Sequence, residues 1–331
     1  MNKKVTDLIK NSSKIVVIQA ENPDGDSIGS TLSLEEILSD LGKSVSLYCP
    51  VQIPKYLRYI AGWDRITDEF NTEADLAIIV DTSSRVLLGR VLDDPSISNF
   101  LRSEKVIVID HHKTDSDLSF NYESIVDESA VSTGEIIFKL AKENDWKINS
   151  QAASNLFISI QSDTLGLTTE NISAETFRIV ADLVDLGANP VILEQNRREL
   201  MKKQPEILEY KGKLIERIEY HLDGRLALIY IPWEEIVEYS DKYNPTMLVL
   251  DEMRQVIGVD IAIGIKTYPD GKLTGKIRSN LPISETVAGF FGGGGHSYAS
   301  GFRIYEKLED FTPELINSVS KVLKEFESEN L

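Results

Sequence analysis

The sequence predicts an α/β protein with a doubly wound parallel sheet, followed by a smaller second domain of mixed α/β structure. Three short runs rich in β-branched apolar residues support this prediction: residues 14–20 (KIVVIQA), 76–80 (LAIIV) and 106–110 (VIVID). Such runs are typical of strands that are buried on both faces. Stretches with the apolar spacing of a helix, such as 28–41, alternate with them. This alternation favours right-handed crossovers and therefore a parallel sheet.

The first domain is predicted to span residues 1–190. Its helices are predicted where apolar residues recur every three or four positions. Gly42 and Gly187 mark the ends of two of them, because glycine favours the conformation that closes a helix. In chain order we expect a helix at 4–11, a strand at 14–20, a helix at 28–41, strands at 45–49, 76–80 and 106–110, and helices at 129–144, 150–160 and 173–186.

The chain changes character after the first domain. Residues 191–220 are heavily charged and have helical spacing, and we interpret them as a helical linker. Residues 221–331 form the predicted second domain, and the active site is expected in the cleft between the two domains. In the second domain we expect strands at 225–231, 255–265 and 272–278, a turn at 269–271, and a helix at 283–290 before the glycine run.

Composition narrows the class of protein. The chain has 331 residues and a formal net charge of −18, so each domain can hold a core, and long polyanions are repelled. We therefore do not expect long RNA or duplex DNA as a partner, although small phosphorylated ligands remain compatible. The single cysteine, Cys49, fits a reducing compartment, and no stretch approaches the roughly 18 apolar residues of a membrane span. A cytoplasmic location without membrane partners follows. The oligomeric state stays open, a homodimer included.

Acidic residues and histidines follow the predicted strands, at the edge where open α/β sheets bind ligands. Taken singly, each aspartate is equally well explained as a turn former or a helix cap. Together, converging carboxylates would repel one another unless cations bridge them. Carboxylates mixed with imidazole suit Mn²⁺, Fe²⁺ or Mg²⁺, and a two-metal site of this kind suits phosphoryl displacement. The candidate residues are Asp24, Asp26, Asp81, His111, His112 and Asp163.

The glycine run at 292–295 has two interpretations. Consecutive glycines form a hinge in many chains. Glycine also lets backbone N–H groups approach an anion closely, and His296, which follows directly, can hydrogen-bond a phosphate. We favour the phosphate cradle. Arg278 and Ser279, at the end of a predicted strand, are a weaker signal of the same kind.

The motifs NPDGDSIGS, VDTSS, IDHH and SDT resemble the four motifs of the DHH phosphoesterase family. KIRSN followed by GGGGHSYASGF resembles the DHHA1 substrate domain of that family. The order of the motifs is similar to that of the nanoRNase and pAp-phosphatase branch. The resemblance implies a Mn²⁺-dependent phosphoesterase, with Mg²⁺ as an alternative, that cuts very short oligoribonucleotides, 3′-phosphoadenosine-5′-phosphate or related small nucleotides.

The resemblance also implies roles for individual residues. Asp26, Asp81, His111 and Asp163 would hold one metal, and Asp24 would hold the other with Asp81 as the bridge. His112 would contact the substrate phosphate and would be the catalytic residue together with Asp81. The residues that would bind the far end of the substrate are Arg278, Ser279, Gly293, Gly294, Gly295 and His296.

Two departures from the family pattern matter. The family's first motif begins with a histidine, and this chain has Ala20 at that position. If the strand stays regular, the neighbours Gln19 and Glu21 point to the opposite side. We therefore expect one tight metal site and a second that is weak or absent. After Asp163 the family continues with Thr-Gly, whereas this chain reads Thr-Leu-Gly-Leu. The alternative hypothesis is a nucleotide-binding protein whose catalysis is weak or lost.

Overall fold

A computed structural model describes residues 3–112, 116–240 and 242–329. The chain divides into two compact units, Met1–Lys202 and Lys203–Leu331. The boundary lies inside the segment 191–220. This segment contains two helices separated by a short break, and the second of them begins at Pro205. Proline is well suited to the first turn of a helix and poorly suited to its interior, which explains why one continuous helix does not form.

The first unit is built on a six-stranded sheet in which every pair is parallel, as the apolar runs predicted. The strand order is β3-β2-β1-β4-β5-β6. The two shortest, at the edges, were not expected from the sequence because each has few residues to show a pattern. The strands are β1 (Lys14–Ile18), β2 (Ser44–Tyr48), β3 (Ile66–Thr67), β4 (Leu76–Val80), β5 (Lys105–Asp110) and β6 (Glu123–Val126).

Helices cover both faces of this sheet. Ile15 and Val17 of β1 pack into one core with α2, α5 and α6, whereas Val16 and Ile18 face a second core with α3 and α4. The alternation explains why the whole strand is apolar. The helices of this unit are α1 (Lys3–Asn11), α2 (Gly25–Asp40), α3 (Gly89–Asp93), α4 (Pro95–Ser103), α5 (Thr133–Glu143), α6 (Ser150–Asp163), α7 (Ala174–Asp185) and α8 (Pro190–Leu200).

The topology creates a crevice at the centre of the sheet. From β1 the chain builds outward to β2 and β3 on one side, and then returns to β4, β5 and β6 on the other. Between β1 and β4 the connections leave in opposite directions, and ligands bind at such a switch point in open α/β sheets. The loops that follow β1, β4 and β5 carry the aspartates and histidines singled out above.

The second unit contains a mixed six-stranded sheet of order β11-β12-β10-β9-β8-β7, with β8 and β9 parallel and the other pairs antiparallel. Its strands are β7 (Glu219–His221), β8 (Leu226–Ile231), β9 (Ile261–Thr267), β10 (Lys272–Ser279), β11 (Gly294–His296) and β12 (Ala299–Tyr305). Its helices are α9 (Pro205–Ile215), α10 (Trp233–Tyr239), α11 (Leu250–Arg254), α12 (Ser284–Gly289) and α13 (Leu308–Glu329).

One strand expected in this unit is wrong in its extent. Residues 255–265 were expected to form a single strand, but β9 begins only at Ile261. Gly258 has a φ of 88°, which lies outside the β region, so the chain turns there before the strand starts. Among the helices of the residues that the structure describes, none has the length and apolarity needed to cross a membrane.

Candidate active site

The loop after β1 places two aspartates at the start of α2. Asp24 is the N-cap of this helix: its carboxylate accepts a hydrogen bond from the backbone N–H of Ser27 at 3.0 Å, and the Ser27 hydroxyl accepts one from the backbone N–H of Asp24 at 3.0 Å. This reciprocal cap starts the helix at Gly25, three residues earlier than the apolar spacing predicted. Asp26 therefore lies in the first helical turn.

Asp26 is fully buried and is held by four donors. The backbone N–H groups of Thr133 and Gly134, at the N-terminus of α5, donate to it at 2.8 and 3.3 Å. The hydroxyls of Ser159 and Ser30 donate at 2.5 and 2.9 Å. The N-terminus of a helix favours a negative charge, so this arrangement compensates for burying the carboxylate. Sequence reasoning missed these donors, although Ser132 and Glu135 have the spacing of a capping box.

Close packing of α2 on α6 brings Asp163 to the same place. A Cβ added to Gly29 would lie 2.5 Å from the carbonyl oxygen of Asn155, and one added to Gly25 would lie 2.4 Å from Oγ of Ser162. Only glycine allows this approach of the two helices. Asp163, the last residue of α6, consequently folds back over the sheet, as its role in the predicted site requires.

Asp81 directly follows β4 and has a left-handed backbone, with a φ of 62°. Its backbone N–H donates to the carbonyl of Ile109 at 2.9 Å, and its carboxylate accepts a hydrogen bond from Oγ1 of Thr133 at 3.2 Å. A non-glycine residue in this conformation costs about 1–2 kcal/mol, although aspartate tolerates it better than most. The surrounding hydrogen bonds offset that cost and fix the direction of the carboxylate.

Three carboxylates, of which those of Asp26 and Asp81 are buried, converge on one imidazole nitrogen. Nε2 of His111 lies 3.1 Å from an oxygen of Asp163 and 3.6 Å from oxygens of Asp26 and Asp81. Among the described residues this buried nitrogen has no hydrogen bond of normal geometry. Two ligand atoms that each lie about 2.1 Å from one cation, at right angles, are about 3 Å apart. The distances from Nε2 of His111 to the three carboxylates are therefore close to those between ligands of one divalent cation.

Mutual repulsion and burial shift the pKa values of this cluster. Burial, followed by the charges of Asp26 and Asp24, raises the pKa of Asp81 well above its usual range. Burial and the charge of Asp26 raise the pKa of Asp163 to about 7. Burial lowers the pKa of His111, but Asp163 and Asp26 outweigh it and raise the value to about 9. A bound cation would replace the protons that otherwise balance these charges.

Asp24 is placed less directly than the other predicted ligands. Two groups of residues offer ligand atoms within 4.8 Å of one another: Asp26, His111 and Asp163, and Asp81, His111 and His112. Asp24 belongs to neither group. Its pKa is raised by burial and by the charge of Asp26, so it lies within electrostatic reach of the cluster.

His112 is oriented by the aspartate of its own motif. Nδ1 of His112 lies 2.8 Å from an oxygen of Asp110, which also accepts the backbone N–H of His112 at 3.2 Å. Burial acts to raise the pKa of Asp110, but the hydrogen bond and charge of His112 outweigh it, so the pKa is lowered. Sequence reasoning missed this role, although Asp110 stands beside both histidines.

Ala20, which stands where the family's first motif has a histidine, is buried. Ala20 is only 5% exposed, and its carbonyl oxygen lies 3.6 Å from Sγ of Cys49. Glu21 turns away to the start of α3, where its carboxylate accepts a hydrogen bond from the backbone N–H of Arg90 at 3.4 Å. Gln19 is fully buried, and its side-chain amide has no hydrogen-bond partner among the described residues.

The loop after Asp163 has an unusual backbone. Leu165, Gly166 and Leu167 have φ values of 49°, 79° and 69°. Leu165 stands where the family pattern has glycine, and glycine adopts this conformation without strain. The side chain of Leu165 is 71% exposed, so it gains little packing in return. Leucine in place of the family's glycine at position 165 therefore also introduces backbone strain.

In the second unit, the backbone register brings the other predicted residues together. Arg278 on β10 pairs with Ala299 on β12, which in turn pairs with His296 on β11. Gly293 packs closely, since an added Cβ would lie 2.2 Å from the carbonyl oxygen of Gly301. Ser279 is buried and exchanges a hydrogen bond with Ser284 at 2.8 Å, which indicates a structural role. At Gly294 an added Cβ would meet nothing within 4 Å, whereas at Gly295, with a φ of 143°, it would meet backbone at 2.7 Å.

The doubly wound sheet, with carboxylates and histidines at its switch point, agrees with the fold that the resemblance to the DHH family implies. The model of the DHH family N-terminal domain matches residues 14–160. The match covers the part of the first unit from β1 to α6, which carries every predicted site residue of that unit except Asp163.

Two relatives share nearly the whole length of the chain. The probable bifunctional oligoribonuclease and PAP phosphatase NrnA of Streptococcus mutans is 26% identical over 314 residues, covering 93% of this chain and 96% of that protein. The bifunctional oligoribonuclease and PAP phosphatase NrnA of Bacillus subtilis is 24% identical over 309 residues, covering 91% and 93%. An exopolyphosphatase-related protein from Bacteroides fragilis has the same fold, with a TM-score of 0.83 at 22% identity over 98% of this chain and 95% of that one.

Proposed function

We propose that the protein is a divalent-cation-dependent phosphoesterase that hydrolyses short oligoribonucleotides and small nucleotides such as 3′-phosphoadenosine-5′-phosphate. The observation that carries this proposal is the convergence of Asp26, Asp81 and Asp163 on Nε2 of His111, at distances of 3.1–3.6 Å. The relatives named as oligoribonucleases and PAP phosphatases match the chain over both units, which supports the substrate class.

Asp26, Asp81, His111 and Asp163 would hold the cation, and their mixed oxygen and nitrogen donors suit Mn²⁺, with Mg²⁺ as the alternative. When bound, a cation of this kind activates water and offsets charge on a phosphoryl group. Asp81 stands at the centre, because its strained backbone fixes the carboxylate beside both histidines. A second cation would rely on Asp24 and Asp81 without the histidine that Ala20 replaces.

His112 would bind and stabilise the phosphate that is cleaved. Because Nδ1 lies against Asp110, Nε2 would be the ring nitrogen that contacts the phosphate. In the second unit, Arg278 and the loop from Gly293 to His296 would bind the part of the substrate away from that phosphate. Glycines allow backbone N–H groups to approach an anion, and arginine matches phosphate geometry.

Turnover on a defined panel tests the proposal. The panel contains di- to pentaribonucleotides, 3′-phosphoadenosine-5′-phosphate and cyclic dinucleotides, each with Mn²⁺ and with Mg²⁺. We expect metal-dependent release of mononucleotide from the shortest substrates, and loss of activity in the Asp81→Asn variant. Degradation of a long single strand as fast, per end, as a dinucleotide would contradict the substrate class.

A second candidate function is nucleotide binding without appreciable turnover. Ala20 in place of the family histidine is the observation that favours it. The two functions differ in one measurement. A binding protein retains a dinucleotide with micromolar or tighter affinity and releases no product at saturating Mn²⁺, whereas the phosphoesterase releases product under the same conditions.

A further inference from the structure

One face of the sheet in the second unit carries a group of cations around a glycine floor. Lys276 on β10 pairs with Gly264 on β9 and with Gly301 on β12, and Gly301 pairs in turn with Gly294 on β11. The residues that lie level with Lys276 on the neighbouring strands are therefore all glycines, so the surface of the sheet beside Lys276 is formed by backbone. We call this surface the glycine floor. A Cβ added to Gly301 would meet only the carbonyl oxygen of Gly275, at 3.0 Å, and one added to Gly294 would meet nothing within 4 Å.

Basic side chains surround this floor. Residues two apart on a strand share a face, so Arg278 stands beside Lys276 on β10, and Arg303 stands beside Gly301 on β12. Lys266 on β9 pairs with Thr274, which makes it a diagonal neighbour of Lys276 on the same face. Diagonal neighbours lie about 7–8 Å apart at Cα, close enough for long side chains to reach one anion.

The other parts of this face are already covered. Ala227, Ile229 and Ile231 of β8, with Ala262 of β9, pack into a core with α9, α10 and α11. The opposite face of the sheet packs against α12 and α13. The segment over β10 and β12 is the part of this face that presents charge instead of apolar side chains.

Three of these cations have no counter-charge within the part of the chain that the structure describes. Lys272, on the same strand, lies 3.9 Å from a carboxylate oxygen of Asp270. Among the described residues, by contrast, no carboxylate forms an ion pair with Lys266, Lys276 or Arg303. Acidic residues outnumber basic ones in this protein, which has a net charge of −18, so a cluster of cations without acidic partners is not expected by chance.

The pKa values of two of the lysines are lowered, in part by the neighbouring cations. Burial, followed by the charge of Lys276, lowers the pKa of Lys266 to about 8. The surrounding protein and the charge of Arg278 lower the pKa of Lys276, although this residue reaches solvent. A bound anion would relieve both effects, because it favours the charged form of each lysine.

We propose that Lys276 and Arg303, supported by Lys266, form an anion subsite over Gly301 that binds a second phosphate of the substrate, distinct from the phosphate that is cleaved. This inference rests on the proposed function and deepens it. Arg278 and the glycine loop are already assigned to substrate binding, whereas these three residues are not. We expect the subsite to favour substrates with two phosphates. A dinucleotide that carries a 5′-phosphate should bind more tightly than the same dinucleotide without it.

Equilibrium binding tests the subsite without requiring turnover. The ligands are the diribonucleotides pApA and ApA, titrated by calorimetry into the full-length protein in the presence of EDTA. We expect pApA to bind more tightly than ApA. Lys276→Met and Arg303→Met should each weaken pApA by about tenfold or more and ApA by less than about twofold, since a hydrogen bond between charged groups contributes roughly 1.5–3 kcal/mol. Lys276→Arg should retain most of the affinity for pApA.

Lys324→Met is the matched control, because it removes the same charge from α13, which packs on the opposite face of the sheet. It should leave both affinities unchanged. Equal binding of pApA and ApA by the natural protein, or an equal loss of both in Lys276→Met, would overturn the subsite. Turnover measured separately distinguishes the two proposals. If the protein hydrolyses its substrates but the variants do not lose affinity for pApA selectively, the proposed function stands and the subsite is wrong. If the variants lose affinity for pApA selectively but the protein hydrolyses nothing, the subsite stands and the proposed function is wrong.

Discussion

Asp110 accepts two hydrogen bonds from His112, one from Nδ1 at 2.8 Å and one from the backbone N–H at 3.2 Å. The pair fixes the imidazole in one orientation, with Nδ1 held by a buried carboxylate. Nδ1 also lies 3.8 Å from an oxygen of Asp81, so the same ring nitrogen faces both Asp110 and the candidate metal cluster. Asp110 is therefore a positioning residue, because it acts through His112.

Asp110→Asn tests this relationship. Asparagine keeps an oxygen that can accept from Nδ1 and from the backbone N–H, but it removes the negative charge beside the ring, so the imidazole is held less firmly. We expect kcat to drop by roughly 10–100-fold, as for other supporting contacts of a catalytic or metal site. Metal content should not change. Asp127→Asn, at the end of the neighbouring strand β6, is the control and should leave kcat intact. A loss of metal in Asp110→Asn would contradict a positioning role.

The contact of α2 with α6 gives a second prediction. Gly29→Ala would place a methyl group 2.5 Å from the carbonyl oxygen of Asn155. In an open helix this change stabilises by about 0.5–1 kcal/mol. Here the helices must separate, so we expect a loss of about 1–3 kcal/mol in the free energy of unfolding. The separation also moves Asp26 from Asp163, so metal affinity should fall.

Gly212→Ala is the matched control for this prediction. Gly212 lies within α9, and an added Cβ would meet nothing within 4 Å. This variant should be more stable than the natural protein. Urea unfolding of both variants decides the matter, and a stabilised Gly29→Ala would show that the close approach is not required.

A third prediction concerns pH. The pKa of His111 is raised to about 9 and that of Asp163 to about 7, so near pH 8 the metal-free protein carries a proton on His111 that a cation must displace. Metal affinity should therefore rise about tenfold per pH unit between 7 and 9, and more steeply below 7, where Asp163 also gives up a proton. Calorimetry in buffers of different ionisation enthalpy counts the released protons. A count near zero at pH 8 would contradict the protonated His111.

Much of this fold follows from local sequence. The strands at 76–80 and 106–110 are rich in β-branched apolar residues, so burial on both faces specified them. The aspartates and histidines that follow them were predicted to meet, because parallel strands end at one edge. Asp163 was expected to fold back from a helix end, and the structure places it 3.1 Å from His111.

The remaining features depend on contacts between distant residues. Strand β11 takes up the end of the glycine run, and β12 begins within SYASGF. Glycine has low β-propensity, and these strands depend on pairing: β12 pairs with β10, and β11 pairs with β12. The strand expected at 255–265 was too long, since its first residues look apolar but lie in a turn. Nothing local shows that Gly29 contacts Asn155, or that Thr133 donates to Asp26.

The last prediction concerns Ala20, the position where the family has a histidine. A cation held by Asp26, Asp81, His111 and Asp163 keeps four protein ligands, whereas a second cation would have only Asp24 and the shared Asp81. Loss of a supporting contact typically costs roughly 10–100-fold in affinity, and loss of a direct ligand should cost at least as much. We therefore expect one tight and one weak or absent metal in calorimetric titration with Mn²⁺, and activity that rises well beyond the first equivalent.

Ala20→His should tighten the second site and raise turnover, and Ala20→Asn is the control of similar polarity without an imidazole. The ring must find space beside Cys49, so circular dichroism and the free energy of unfolding should be compared for both variants. Two equally tight sites in the natural protein would mean that another residue supplies the ligand. Glu21 is held at the start of α3, which leaves the buried amide of Gln19 as the nearest alternative. A folded Ala20→His that binds two cations without faster turnover would favour the nucleotide-binding function.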